Sequence, residues 1–308
     1  MICFGNISAG GTGKTSTVIM IAKELSKLNK KVAIVTRGYK KQKKTSNTII
    51  ISRENENIDF AGDEAKLIFL SLKDYNIPVV VNSRRAKAAN VAVEKFKPDV
   101  ILMDDGFQHF ELYRDMNIVL INSTDEIEEK ILPLGNLRES YKSLKRADIV
   151  ILTHCENAME NKIEKWHDCI KKNNDRIPVV ESIHAPEFFF DIINSKQLDI
   201  SFFKGRDIIS MSAIGDPQSF EKIISNLDIN IKKSWIFPDH YKYTLNDIIA
   251  IENLRNNLPI ITTYKDFVKL PWGWEKIIKK DFYVLSIKIS FMGNGYKILT
   301  QKILEKIK

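Results

Sequence analysis

Between a short apolar run, Met1 to Asn6, and a stretch from Lys14 to Leu28 lies Ser8-Ala9-Gly10-Gly11-Thr12-Gly13-Lys14-Thr15. Val18, Ile21, Ala22 and Leu25 recur at helical spacing in the second stretch. A strand, a glycine-rich turn closing on Gly-Lys-Thr and a helix, in that order, make the phosphate-binding loop pattern, with Ser8 at its first glycine position. Its glycines let consecutive backbone N–H groups curl around phosphate oxygens, and a helix starting at Lys14 turns its positive end to the same place. Ser8, Ala9, Gly10, Gly11, Thr12, Gly13, Lys14 and Thr15 are therefore expected to cradle a nucleotide's phosphates. Lys14 can reach the β- and γ-phosphates, and the Thr15 hydroxyl can hold Mg²⁺.

A P-loop needs a sheet around it. The first half alternates β-rich runs with amphipathic stretches, which predicts a mostly parallel sheet flanked by helices. Strands are expected at 1–6, 31–36, 47–52, 78–81, 100–103, 117–121, 149–152 and 178–182. Helices are expected at 14–28, 64–72, 87–96 and 158–172. Between His184 and Ser201 the pattern turns irregular, with Pro186 and Phe188-Phe189-Phe190. The domains read as a P-loop domain at 1–183, a connection at 184–202, and a smaller α/β domain at 203–308 ending in a basic helix.

Val100-Ile101-Leu102-Met103 runs into Asp104-Asp105, so two carboxylates emerge where a parallel sheet binds ligands, beside the P-loop. Magnesium takes hard oxygen ligands, and one or two carboxylates plus phosphates suffice. Asp104 and Asp105 are thus candidate metal residues together with Thr15.

The formal net charge of +8 makes an anionic partner plausible, yet the Lys and Arg residues are scattered and no nucleic-acid-binding motif stands out. The tightest cluster, Lys40, Lys41, Lys43 and Lys44, reads as a solvated loop or as a contact for anionic headgroups. Three cysteines without a C-x-x-C pair give no disulfide framework and suit a reducing compartment. His154, Cys155, His167 and Cys169 do not converge on one zinc: strand neighbours point to opposite faces, and i, i+2 on a helix diverge by about 200°. No run of 18 apolar residues is present.

Beyond the P-loop, Asp104-Asp105-Gly106-Phe107-Gln108-His109, Arg37-Gly38-Tyr39, Gly62-Asp63-Glu64, Leu137-Arg138-Glu139 and Phe237-Pro238-Asp239-His240 occur in order. Thr263-Tyr264-Lys265-Asp266 follows as a looser match. Singly weak, the ordered set resembles the tetraacyldisaccharide 4′-kinase family, the kinases that phosphorylate the lipid A disaccharide. The resemblance implies transfer of the γ-phosphate of ATP, with Mg²⁺, to the 4′-hydroxyl of a tetraacylated glucosamine disaccharide 1-phosphate. It implies Asp63 as the catalytic base with His240 as its partner, and Glu64 near the magnesium pair. Tyr39, Arg84, Gln108, His109, Arg138 and Glu139 match positions lining the nucleotide or glycolipid site.

A carboxylate within reach of an alcohol can take its proton as it attacks phosphorus. The same residues have plainer readings: Asp63 as a helix cap, His240 as a turn residue, Arg138 and Glu139 as a surface ion pair. Family members usually open with an apolar anchor, whereas here Met1 abuts the first strand. Either the start is truncated or attachment to the anionic cytoplasmic face of the bacterial inner membrane is peripheral; the oligomeric state is open, with a monomer favoured. The prolines usual at positions 136 and 140 are replaced by Asn136 and Ser140, which leaves the shape of that substrate loop open. Two other readings compete: a P-loop kinase for a soluble acceptor, and a switch-type ATPase of the partitioning and arsenical-pump class. The latter carries a signature lysine where this chain has Ala9.

Overall fold

A computed structural model describes residues 1–38, 48–52, 55–56 (backbone only), 61–127, 130–239 and 241–307. Tyr39 and His240, and the cluster Lys40 to Lys44, lie outside the described residues. The chain divides into two compact units, Met1–His184 with Ile289–Lys308, and Ala185–Lys288.

In the first unit the strands are β1 (Ile2–Asn6), β2 (Val32–Thr36), β3 (Ile49–Ser52), β4 (Asn55–Glu56), β5 (Val79–Val81), β6 (Val100–Met103), β7 (Met116–Asn122), β8 (Ile149–Thr153) and the start of β9 (Val179–Asp191). They align in the order β9-β8-β7-β1-β6-β2-β5-β3-β4. Pairing is parallel from β9 to β5, while β3 runs antiparallel to both β5 and β4. β1, β2, β6 and β8 are buried at every position, as strands covered on both faces must be, which is why they read as unbroken apolar runs. The helices are α1 (Lys14–Lys27), α2 (Asp63–Leu72), α3 (Arg85–Phe96) and α4 (Glu160–Asn173). α1 buries Val18, Ile21, Ala22 and Leu25 in the core formed with Ile2, Phe4, Ile34 and Leu102.

The carboxyl ends of the parallel strands all open on one edge, where the P-loop follows β1, Arg37 follows β2, Asp104 follows β6 and His154 follows β8. Gly5 makes that edge possible. A Cβ there would stand 2.4 Å from Cβ of Phe107, so any side chain would push the Asp104–His109 segment off β1.

The second unit holds β10 (Lys196–Leu198), β11 (Asp207–Ser212), β12 (Asn230–Ile236), β13 (Ile260–Thr262) and most of β14 (Phe282–Phe291), with helices α5 (Pro217–Ser225) and α6 (Leu245–Leu254). β12, β11, β13 and β14 pair in that order, all parallel. Fully buried Asp266 holds this unit's loops. Its Oδ1 accepts from the Ala213 N–H, the Tyr243 hydroxyl and Lys269, and its Oδ2 accepts from the Thr263 hydroxyl.

Two details differ from the sequence expectation. The stretch 184–202, expected to be an irregular connection, is largely ordered β-structure: β9 runs on to Asp191 and β10 folds back antiparallel on it. Alternation of buried Phe189 and Asp191 with their neighbours sustains the strand despite Pro186. The final helix, α7 (Gly295–Lys306), was expected at the end of the second domain. Its Leu299 and Ile303, together with Ile307, pack instead into the core of the first unit. Periodicity shows that a helix has an apolar face, not which core receives it.

Candidate active site

Gly10 and Gly13 take φ of 115° and 75°, so the P-loop turns through backbone conformations that L-residues avoid. Its shape is pinned from outside by the Ala9 N–H, which donates to the Asn136 carbonyl at 2.7 Å, and by Ser8 Oγ, which donates to Asp125 at 3.2 Å. On the far side Thr153 Oγ1 donates to the Thr12 carbonyl at 3.3 Å. Thr12 is buried and Gly10 and Gly11 are exposed, leaving the loop open outward.

Lys14 lies at the start of α1, largely buried, with Nζ 3.6 Å from Asp105 Oδ1. Burial lowers its pKa, and the carboxylates of Asp105, Asp104 and Glu64 pull the other way. Thr15 Oγ1 donates to Asp104 Oδ2 at 3.4 Å. Asp104 is 1% exposed, and its Oδ1 has no hydrogen-bond partner among the described residues. Burial first, and then the negative charges of Glu64 and Asp105, raise its pKa to about 7.

Asp105 is set apart from its neighbour. Its φ of 51° turns it out of the strand path, and Arg138 Nη1 donates to it at 2.9 Å. Burial alone would raise its carboxyl, but Lys14 and Arg138 outweigh burial and hold it below the usual range. The two adjacent aspartates thus carry opposite shifts. Asp104 presents a buried, uncompensated oxygen beside a threonine hydroxyl, which fits a hard divalent cation; Asp105 is already neutralised by protein cations.

Asp63 and Glu64 open α2, both half-buried, after Gly62 at φ 91°. Glu64 is close enough to act on both Lys14 and Asp104. Gln108 Nε2 donates to the Asn6 carbonyl at 2.8 Å and to Glu139 at 3.0 Å. Arg138 and Glu139, readable as one surface ion pair, pair separately: Arg138 with Asp105, Glu139 with Gln108 and Arg146. The Arg146 guanidinium also covers the Phe107 ring at 4.3 Å. His109 is lowered by burial and then by Arg85.

Arg84 is exposed, with its backbone N–H held by Asn82. Its neighbour Arg85 is the buried one, donating to the Asp105 carbonyl at 3.3 Å. Arg84, the residue matched to a family site position, thus faces solvent, while Arg85, which no motif marks, is the one turned inward. Successive residues on a helix point about 100° apart, so of two arginines at the start of α3 only one can face the sheet.

A family model described as tetraacyldisaccharide-1-P 4′-kinase matches residues 1–308. Among curated relatives, a tetraacyldisaccharide 4′-kinase of Elusimicrobium minutum is 41% identical over 95% of this chain and 79% of its own length. One of Aquifex aeolicus is 36% identical over 92% and 83%. The crystal structure of the apo form of the Aquifex aeolicus LpxK, in complex with ATP, matches with a TM-score of 0.76 at 30% identity. That match covers 100% of this chain and 88% of the other. With its P-loop and carboxylate pair on one sheet edge and a family match along its whole length, this chain belongs to the tetraacyldisaccharide-1-P 4′-kinase family.

Proposed function

We propose that this chain transfers the γ-phosphoryl group of ATP to the 4′-hydroxyl of a tetraacylated glucosamine disaccharide 1-phosphate, in lipid A synthesis. The observation that carries the reading is the pairing of Thr15 with Asp104 across the P-loop, inside a chain that matches this kinase family end to end. Backbone N–H groups of residues 8–15 hold the phosphates, and Lys14 neutralises charge building on the β- and γ-oxygens. Thr15 and Asp104, with Asp105 and Glu64 beside them, would hold Mg²⁺, which would offset negative charge on the phosphates. Asp63 takes the proton of the attacking hydroxyl, and the family resemblance gives it His240 as partner. Arg138 fixes Asp105, and Gln108 and Glu139 brace the end of β1, so these three shape the site as well as line it. Tyr39, Arg84 and His109 are assigned to the nucleotide or glycolipid, and the two units to a nucleotide-holding domain and a smaller α/β domain.

An assay offering lipid A disaccharide 1-phosphate beside soluble sugars tests the reading. Phosphorylation of the glycolipid alone is expected, and equal or better use of a soluble sugar would overturn it.

A lipid acceptor also calls for a membrane surface. No helix among the described residues is long and apolar enough to cross a bilayer. Phe110, Tyr113, Leu132 and Leu134 are exposed in the first unit, and the whole chain carries a net charge of +8. Attachment to the anionic cytoplasmic face of the inner membrane, by apolar side chains and basic charge, follows from that reading. Flotation with vesicles containing anionic lipid is expected, weakening as salt screens the charges. Flotation independent of salt, or none with any vesicle, would contradict it.

A further inference from the structure

One arginine that no sequence motif marks touches several of the segments that build the site. Arg146 ends the short 3-10 helix Tyr141–Arg146, and its carbonyl accepts from Asn117 Nδ2 at 3.0 Å, which ties its backbone to β7. Its guanidinium donates to Glu139 Oε2 and lies 4.3 Å from the ring centroid of Phe107 and 4.7 Å from that of Phe110. Phe107 is buried with Val119, Leu137 and Tyr141, and it follows Asp104-Asp105-Gly106 directly in the chain. The backbone of the same turn is held by Arg114, which donates to the carbonyls of Gly106 and Phe107, each at 3.0 Å.

Glu139 links Arg146 to the rest of the site. Its Oε1 accepts from Gln108, which also donates to the Asn6 carbonyl just before the P-loop. Its chain neighbour Arg138 clasps Asp105 at 2.9 Å. The contacts close on themselves: Asp105 to Arg138, along the chain to Glu139, across to Arg146 and Phe107, and back along the chain to Asp105.

A partly exposed ion pair adds little to stability by itself. This one matters for how charge is shared out. Without Arg146 the Glu139 carboxylate would keep, among the described residues, only the neutral amide of Gln108. A partly buried carboxylate left uncompensated draws in a cation, and the next one along the chain is Arg138. Asp105, giving up Arg138, would lean harder on Lys14, whose Nζ is already 3.6 Å away. Lys14 is the cation that the phosphates need.

We propose that Arg146 is a positioning residue for phosphoryl transfer: it neutralises Glu139, so that Arg138 stays on Asp105 and Lys14 is left to the phosphates. This rests on the reading of Lys14 as the phosphate-contacting lysine of an ATP site.

A double-mutant cycle on the whole protein tests it, read in ATP affinity by calorimetry with Mg²⁺ and in single-turnover phosphorylation of the disaccharide 1-phosphate. Arg146→Met keeps a long side chain against the Phe107 ring and removes the charge. It should weaken ATP binding and slow transfer by about tenfold each, with a melting temperature close to wild type. In a Glu139→Gln background, where there is no carboxylate left to neutralise, the same change should cost less than about twofold. Arg146→Lys, which keeps the charge without the planar stack, should recover most of the loss. An equal loss in both backgrounds would show that Arg146 acts independently of Glu139 and overturn the proposal. So would a loss in Arg146→Lys as large as in Arg146→Met, which would give the role to stacking on Phe107. Wild-type affinity and rate in Arg146→Met would reduce the pair to a surface contact, and a lowered melting temperature in both backgrounds would make it a support of the fold. Wild type that binds ATP but phosphorylates no glycolipid would remove the proposed reaction, while the cycle in ATP affinity would still decide the role of Arg146.

Discussion

Lys14→Ala is expected to lower kcat by at least about 10²–10³-fold while the protein folds normally. The side chain stands at the first position of α1, largely buried, where a P-loop lysine reaches the β- and γ-phosphates. As charge builds on those oxygens, a preorganised cation in a dry site counts for far more than one in water. Folding should tolerate the change for two reasons. Burial already disfavours the charged form of Lys14, so deleting it removes a desolvation cost as well as an attraction. Asp105, which loses the Lys14 contact, keeps Arg138 at 2.9 Å. Single-turnover phosphorylation of the disaccharide 1-phosphate, beside a melting curve, checks both halves. Turnover within tenfold of wild type would detach the P-loop from the chemistry; collapse of the melting transition would make the loss structural.

Asp104→Asn should abolish turnover and yet raise the melting temperature of the metal-free protein at pH 7 and above. In the folded chain the Asp104 carboxyl titrates near pH 7, against 3.8 for its unperturbed value, because it is buried beside Glu64 and Asp105. A folded-state value above the unfolded one means that ionisation costs the folded state. The cost is absent below about pH 4, grows between the two values and is constant above the higher one. The gap between those two values sets an upper scale of about 4 kcal/mol, so a few degrees of stabilisation is the expected size. Asparagine removes the charge but keeps an oxygen for the Thr15 hydroxyl. The melting temperature of variant minus wild type, followed from pH 5 to 8 without metal, should widen as pH rises. Adding ATP with Mg²⁺ should stabilise wild type more than the variant, since a ligand stabilises only the form that binds it. A variant less stable than wild type at every pH, or one that turns over with magnesium like wild type, would make the carboxylate structural. A site that destabilises its own empty form is what a buried carboxylate awaiting a cation should produce.

The P-loop and the Asp104-Asp105 pair were legible because each is local. A glycine turn with Gly-Lys-Thr, and an apolar strand ending in carboxylates, carry their chemistry within eight residues or fewer. The parallel sheet followed from alternating periods, and the unbroken apolar runs of β1, β2 and β6 already marked strands covered on both faces. Ordered motifs pointed to the kinase family, and the family match along the whole chain agrees with them.

What the sequence could not decide were questions of which neighbour. It could not say that Asp104 is buried with no partner for Oδ1 among the described residues while Asp105 is clasped by Arg138, since adjacent residues of one type look alike until the strand ends and the backbone turns. It could not say that Arg85 rather than Arg84 is buried, nor send α7 to the first core, because an apolar stripe is complementary to any core. His154 was read against Cys155, His167 and Cys169, its neighbours along the chain. The fold set it instead against His184, thirty residues on, because parallel pairing of β8 with the first residues of β9 brings the end of β8 beside the middle of β9. Local chemistry is written in consecutive residues, but electrostatic environment is a sum over groups that only the sheet brings together.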